Sequence, residues 1–171
     1  METIILPGYS TNNKAWADEI RDELAAAGLP VKIHAWQHWS SNVGFEINRE
    51  VQSVLGEVGQ EEINVLAKSV GVAVAFHLIL KIPDQVNKVI LCGLANTSSN
   101  MGKGFDEVLH QIPPERILCI QNEFDKYIQY KDAEAFYHSV NPEIRVLSKP
   151  RRDHHYPYAL DFIEFLKTSK R

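Results

Sequence analysis

The sequence predicts an α/β fold: a three-layer sandwich in which a mostly parallel, six-stranded sheet carries helices on both faces. Two observations predict it. Six short apolar, β-branched runs alternate with segments of helical periodicity from one end of the chain to the other. The connections between them are short, as in right-handed βαβ units, which leave helices on both faces of a parallel sheet. No internal repeat, low-complexity segment or interdomain linker interrupts the pattern, so residues 1–171 are expected to form a single domain.

Thr3-Ile4-Ile5-Leu6 is the first buried strand, stopped by Pro7-Gly8. Asn12 or Asn13 caps a helix with Trp16, Ile20, Leu24 and Ala25 on one face, ended by Gly28 and Pro30. Residues 31–35 alternate as a second strand, followed by an aromatic loop holding Trp36, His38, Trp39 and Phe45. A helix from about 44 to 58 ends at Gly59. The third strand starts near Glu62 and runs into Ala67-Lys68-Ser69-Val70-Gly71 and then a helix that ends before Pro83. Residues 87–92 form a fourth strand, 105–111 a short helix, 116–120 a fifth strand, 131–139 a helix, 144–147 a sixth strand and 158–167 the last helix.

Hydrophobic content of 44% and charged content of 23% are those of a soluble globular chain. A net charge of −4 leaves no basic excess to neutralise phosphates, which argues against a nucleic-acid partner. The tail from Lys167 to Arg171 reads as solvated. Cys92 and Cys119 lie in apolar strands and read as buried free thiols, which fits a reducing compartment. Met1 to Leu6 leads directly into a strand without a leader pattern, and no apolar run approaches ~18 residues, so no membrane span and a cytoplasmic location are expected.

In parallel sheets, sites lie outside the carboxyl ends of the strands. After strand three, a strand, a sharp turn centred on Ser69 and a helix make the context of a nucleophile elbow. Small residues at Ala67 and Gly71 let the neighbouring backbones approach, and Ser69 is expected at positive φ. The competing reading is that Ser69 simply caps the helix. After strand five comes Asp125, and after strand six comes Asp153-His154-His155-Tyr156. A serine needs a base, and the base needs an acid to hold its tautomer. Ser69, Asp125 and His154 supply that set, with His155 as the alternative base. After strand one, Gly8 lets the chain turn so that the Tyr9 N–H, with that of Val70, can hold an oxyanion. Gly8, Trp36 and Trp39 are expected against the substrate. His34 and His38 lack a carboxylate or Cys at ligand spacing, so no metal is expected, and no cofactor.

With these residues in view, the chain resembles the α/β-hydrolase superfamily in a short form, over Thr3 to Leu166. Ala67-Lys68-Ser69-Val70-Gly71 is similar to its elbow. Pro7-Gly8-Tyr9 resembles its oxyanion loop, with Pro in place of His. Asn122-Glu123-Phe124-Asp125-Lys126-Tyr127-Ile128 resembles its acid loop, with Asn in place of Gly, and Asp153-His154-His155-Tyr156 its histidine loop. The resemblance implies a minimal α/β-hydrolase fold lacking the first two strands of the full sheet, with strand order 2-1-3-4-5-6. The segment from about Leu94 to Gly104, where relatives insert a lid, is short and implies an open site. The expected activity is that of a small lidless serine hydrolase or esterase acting on an ester, thioester or amide, with a small-molecule or acyl substrate. The rival reading is a non-catalytic binding protein that keeps the fold. Oligomeric state is not legible.

Overall fold

The computed structural model describes residues 1–96 and 105–168. The expected Ser/Asn/Gly-rich stretch between strand four and the next helix falls mostly outside the described residues, as does the end of the basic tail.

Six strands form one sheet: β1 (Glu2–Leu6), β2 (Val31–Ile33), β3 (Ile63–Lys68), β4 (Val86–Cys92), β5 (Ile117–Asn122) and β6 (Arg145–Lys149). Their order is β2-β1-β3-β4-β5-β6, and every neighbouring pair is parallel. Six helices connect and cover them: α1 (Asn13–Ala26), α2 (Ile47–Val58), α3 (Val70–Lys81), α4 (Phe105–Gln111), α5 (Tyr130–Val140) and α6 (Ala159–Lys167). The side-chain period of two sorts each strand between two cores. Ile4, Leu6, Val65, Ala67, Val89, Leu91, Ile117 and Cys119 face a core built with α2, α3, α4 and α5. Ile5, Leu66, Ile90, Cys92, Leu118 and Ile120 face the second core, built with Trp16, Ile20 and Leu24 of α1 and Phe162 and Phe165 of α6.

The strands match the expected ones within a residue or two; β6 begins and ends later, at Arg145 and Lys149. α2 begins at Ile47 rather than 44, because the Glu46 carboxylate takes the N-cap position and accepts from the Asn48 N–H at 3.1 Å. At α1, Asn12 occupies the N-cap position but its side chain makes no cap bond. Asn13 instead turns its amide to the Ser10 carbonyl at 3.0 Å and its Oδ1 to Lys68 Nζ at 2.6 Å. Both cysteines are buried and free. Cys92 Sγ points at the Ala67 carbonyl at 3.3 Å, and burial pushes its thiol up to about 12 and that of Cys119 well above the ordinary range.

The backbone approaches closely at Gly71, where the first turn of α3 crosses the end of β1. A Cβ there would lie 2.1 Å from the Leu6 carbonyl oxygen, a backbone atom that cannot swing away. Gly71→Ala is therefore expected to destabilise the protein by at least the roughly 1–3 kcal/mol typical of overpacking, read as a lower urea midpoint. An unchanged midpoint would show that α3 can lift off β1.

Candidate active site

β3 ends at Lys68, and α3 begins at Val70. Only Ser69 lies between them, at φ 58° and ψ −120°. It is the one non-glycine residue at positive φ among the described residues. Such a conformation is strained and persists only where its surroundings hold it. Here the Ser69 N–H donates to the Cys92 carbonyl of β4 at 3.0 Å, and the Ser69 carbonyl accepts from Val72 N–H at 3.0 Å. Ser69 stands at the N-cap position of α3, yet its hydroxyl makes no cap bond. The capping reading thus fails, and the hydroxyl is left for other work.

Asp125 follows β5 and is 2% exposed. Its Oδ2 receives His154 Nδ1 at 2.6 Å and the Tyr156 hydroxyl at 2.6 Å, and its Oδ1 receives the Tyr127 N–H at 2.9 Å. Burial alone would raise this carboxyl; the bonds from His154, Tyr156 and Tyr127 outweigh it and hold the carboxyl below its ordinary value. An ionised carboxylate only accepts, so His154 Nδ1 carries the proton and Nε2 is free to accept one. Nε2 is buried and has no hydrogen-bond partner among the described residues. His154 and Ser69 line one cavity of about 430 Å³. The structure thus brings His154 to Asp125 and to the cavity that Ser69 lines, with no hydrogen bond between Nε2 and Ser69. His155 is half-buried and lines the same cavity. Its ring makes no bond to Asp125; burial, with the Lys68 charge behind it, pulls that imidazole below its ordinary value.

The aromatic loop after β2 serves the chain after β1. Trp36 Nε1 donates to the Gly8 carbonyl at 3.0 Å, and Trp39 Nε1 donates to the Tyr9 carbonyl at 2.8 Å. His38 Nε2 also meets the Tyr9 carbonyl at 2.8 Å. The Gly8 carbonyl and the Tyr9 N–H belong to one peptide, and in a trans peptide they point opposite ways. Fixing the carbonyl on Trp36 therefore fixes the direction of the Tyr9 N–H. Val70 supplies the first N–H of α3, one of the groups a helix leaves without an internal partner.

Several solved structures share this architecture. The ydeN gene product from B. subtilis superposes with a TM-score of 0.72 at 13% identity, over 98% of this chain and 99% of its own. Alpha/beta hydrolase domain-containing protein 10 from mouse gives 0.66 at 15%, over 96% and 86%. A serine hydrolase without lid from Xanthomonas campestris gives 0.68 at 13%, over 97% and 78%. The chain has the α/β-hydrolase fold. No family model matches its sequence, and no curated protein matches it.

On this α/β-hydrolase scaffold, two departures from the expected pattern have physical reasons. Asn122, where the acid loop of the resembled family has Gly, is fully buried and acts as a clamp. Its amide donates to the carbonyls of Asp153 and His155, both at 2.8 Å, gripping the chain on either side of His154. Trp36 requires a correction: expected against the substrate, it is fully buried in the core, because its indole is spent on the Gly8 carbonyl. Gly8 is also buried, and a Cβ there would meet Asn13 Oδ1 at 2.5 Å. Trp39 is half-buried and packs against the same core while holding Tyr9.

Sequence reasoning missed Gly93, just past β4 at φ 66°, where a Cβ would strike Tyr156 at 2.6 Å and His154 at 3.0 Å. A glycine directly after a strand at the carboxyl edge was the available signal. It also missed Lys68, 5% exposed, which burial pulls below the ordinary lysine value. His34 meets Glu50 and Glu57 through its two ring nitrogens at 3.0 and 2.7 Å, and Glu50 also accepts the Gln37 N–H, anchoring the aromatic loop.

If Trp36 aims the Tyr9 N–H, Trp36→Phe frees that peptide to rock. The expected result is a fall in kcat of at least about tenfold, since misplacement near 1 Å costs up to about a hundredfold, with KM little changed. A change confined to KM would show that Trp36 acts on substrate binding instead.

Proposed function

We propose that the protein is a serine hydrolase that cleaves a carboxylic ester, or a thioester or amide, through Ser69, His154 and Asp125. The observation that carries this reading is the partnerless Nε2 of an Asp-held imidazole, buried in the cavity that a strained, uncapped serine also lines.

The steps follow from the proton inventory. Ser69 Oγ attacks the carbonyl carbon while its proton passes to His154 Nε2. The oxygen, now anionic, is held by the N–H groups of Tyr9 and Val70. The bond to the leaving group breaks, and His154 returns the proton to the departing atom. Water then attacks the acyl-Ser69 ester, giving its proton to His154, and the acid leaves as Ser69 regains its hydrogen. Asp125 stabilises the imidazolium throughout and is not itself protonated. Among the described residues no helix is long and apolar enough to cross a membrane.

A fluorophosphonate probe, which phosphonylates only activated serines, is expected to label the protein at Ser69, located by peptide mass mapping. Labelling absent at Ser69 would favour the rival reading, a binding protein that keeps the fold.

A further inference from the structure

Ser69 lies between two cavities of opposite character. One, of about 430 Å³, is lined by His154, His155, Lys68, Glu19, Trp16 and Tyr127 among others. The other, of about 240 Å³, is lined by Ile47, Val70, Ala73, Leu94, Ala95 and Asn96 together with Ser69. The second is mostly apolar, and among the described residues no charged side chain lines it.

The chemistry assigns one half of a substrate to each. The leaving group must sit where His154 can protonate it, and His154 lines only the first of these cavities. The acyl group then lies across the scissile carbon, in the apolar recess. A recess of 240 Å³ suits a short chain or a small ring rather than a long fatty acyl group.

The leaving-group side contains a buried cation, Lys68. It directly precedes Ser69, is 5% exposed and lines the first cavity. An ammonium has three N–H donors. Nζ gives one to Asn13 Oδ1 at 2.6 Å and lies 5.1 Å from the centre of the Trp16 ring. Among the described residues no carboxylate is within ion-pair distance of it; Asp125 and Asp153 act on it only through space, and burial outweighs them. Burying such a group without further acceptors costs stability, and an oxygen anion on a ligand would supply them. Glu19, the acid lining the same cavity, is exposed at its rim, where water screens it, and Lys126 stands there as a counterweight.

We propose that the substrate joins a short apolar acyl group to a leaving group that carries an anionic oxygen group, carboxylate or phosphate, received by Lys68. This rests on the serine-hydrolase reading above. Three esters of one acyl group test it: para-butyryloxybenzoate, para-butyryloxyphenyl phosphate and the neutral para-butyryloxybenzamide. For the wild type, kcat/KM is expected to be at least about tenfold higher for one anionic ester than for the neutral one, a factor equal to about 1.4 kcal/mol. The better of the two anionic arms identifies the group. That ratio should fall toward one in Lys68→Met and recover in Lys68→Arg. A wild-type ratio near one, with Ser69 labelled by fluorophosphonate, overturns this proposal and leaves the hydrolase reading standing. A ratio that survives Lys68→Met also overturns it. If Ser69 is not labelled and no ester is cleaved, both readings fall, and the two failures stay distinct.

Discussion

Ser69→Ala is expected to reduce hydrolysis of an activated ester such as p-nitrophenyl butyrate to the residue left by binding and oxyanion contacts. In a serine enzyme that loss is about six orders of magnitude in kcat. The fold should not change. Among the described residues the Ser69 hydroxyl has no cap bond or other hydrogen-bond partner, so its removal orphans no group there. The Ser69 N–H and carbonyl, which tie the turn to Cys92 and Val72, are backbone groups that alanine keeps. The discriminating measurement pairs initial rates with a thermal melt. Lost activity at an unchanged melting temperature assigns the chemistry to the hydroxyl, whereas wild-type rates in a well-folded variant would exclude it.

Asp125→Asn is expected to lower kcat by about four orders of magnitude, with the structure preserved. An amide in place of the carboxylate can present N–H to His154 Nδ1, which forces the proton onto Nε2 and leaves nothing to accept the proton of Ser69. The same substitution has a signature in stability. The folded carboxyl lies below its ordinary value near 3.8, so between the two values the unfolded chain binds the extra proton. This contribution is therefore present above the unfolded value and is lost as pH falls through the folded one. Wild-type melting temperature should fall more steeply than that of Asp125→Asn as pH drops below about 4. Parallel curves, or a kcat within tenfold of wild type, would mean that the carboxylate neither binds His154 tightly nor orients it.

Much of the fold was legible because the sheet is buried on both faces. Strands such as Ile63–Lys68 and Val86–Cys92 have no solvent side, so they read as mainly apolar runs despite Asn64, Lys68, Asn87 and Lys88, and their alternation with helices leaves few topologies. The positive φ at Ser69 was legible as well, since Gly71 and Ala67 mark a turn with no room for side chains. Less visible were the supports. Trp36 was misplaced because an indole looks the same in sequence whether it meets a ligand or a backbone carbonyl. Only the partner decides, and Gly8 lies 28 positions away. Asn122 was read only as standing in place of glycine, although its amide spans two carbonyls that come within reach only after β6 is paired to β5. Sequence alone assigned Lys68 no role, because charge at a strand end is usually solvated. Its burial follows from α1, which brings Trp16 and Asn13 over it.

The two sealed thiols turn the sheet into its own reporter. Cys92 and Cys119 lie on adjacent central strands with their thiolate forms suppressed by burial, and the thiolate is the form that alkylating reagents attack. Around neutral pH such a reagent meets no reactive sulfur while the sheet is closed, and two when it opens. Alkylation kinetics then time the opening of β4 and β5 directly, in native buffer and without denaturant. Inactivation by a thiol reagent would record a sheet that has come apart, never a cysteine at work in the cavity.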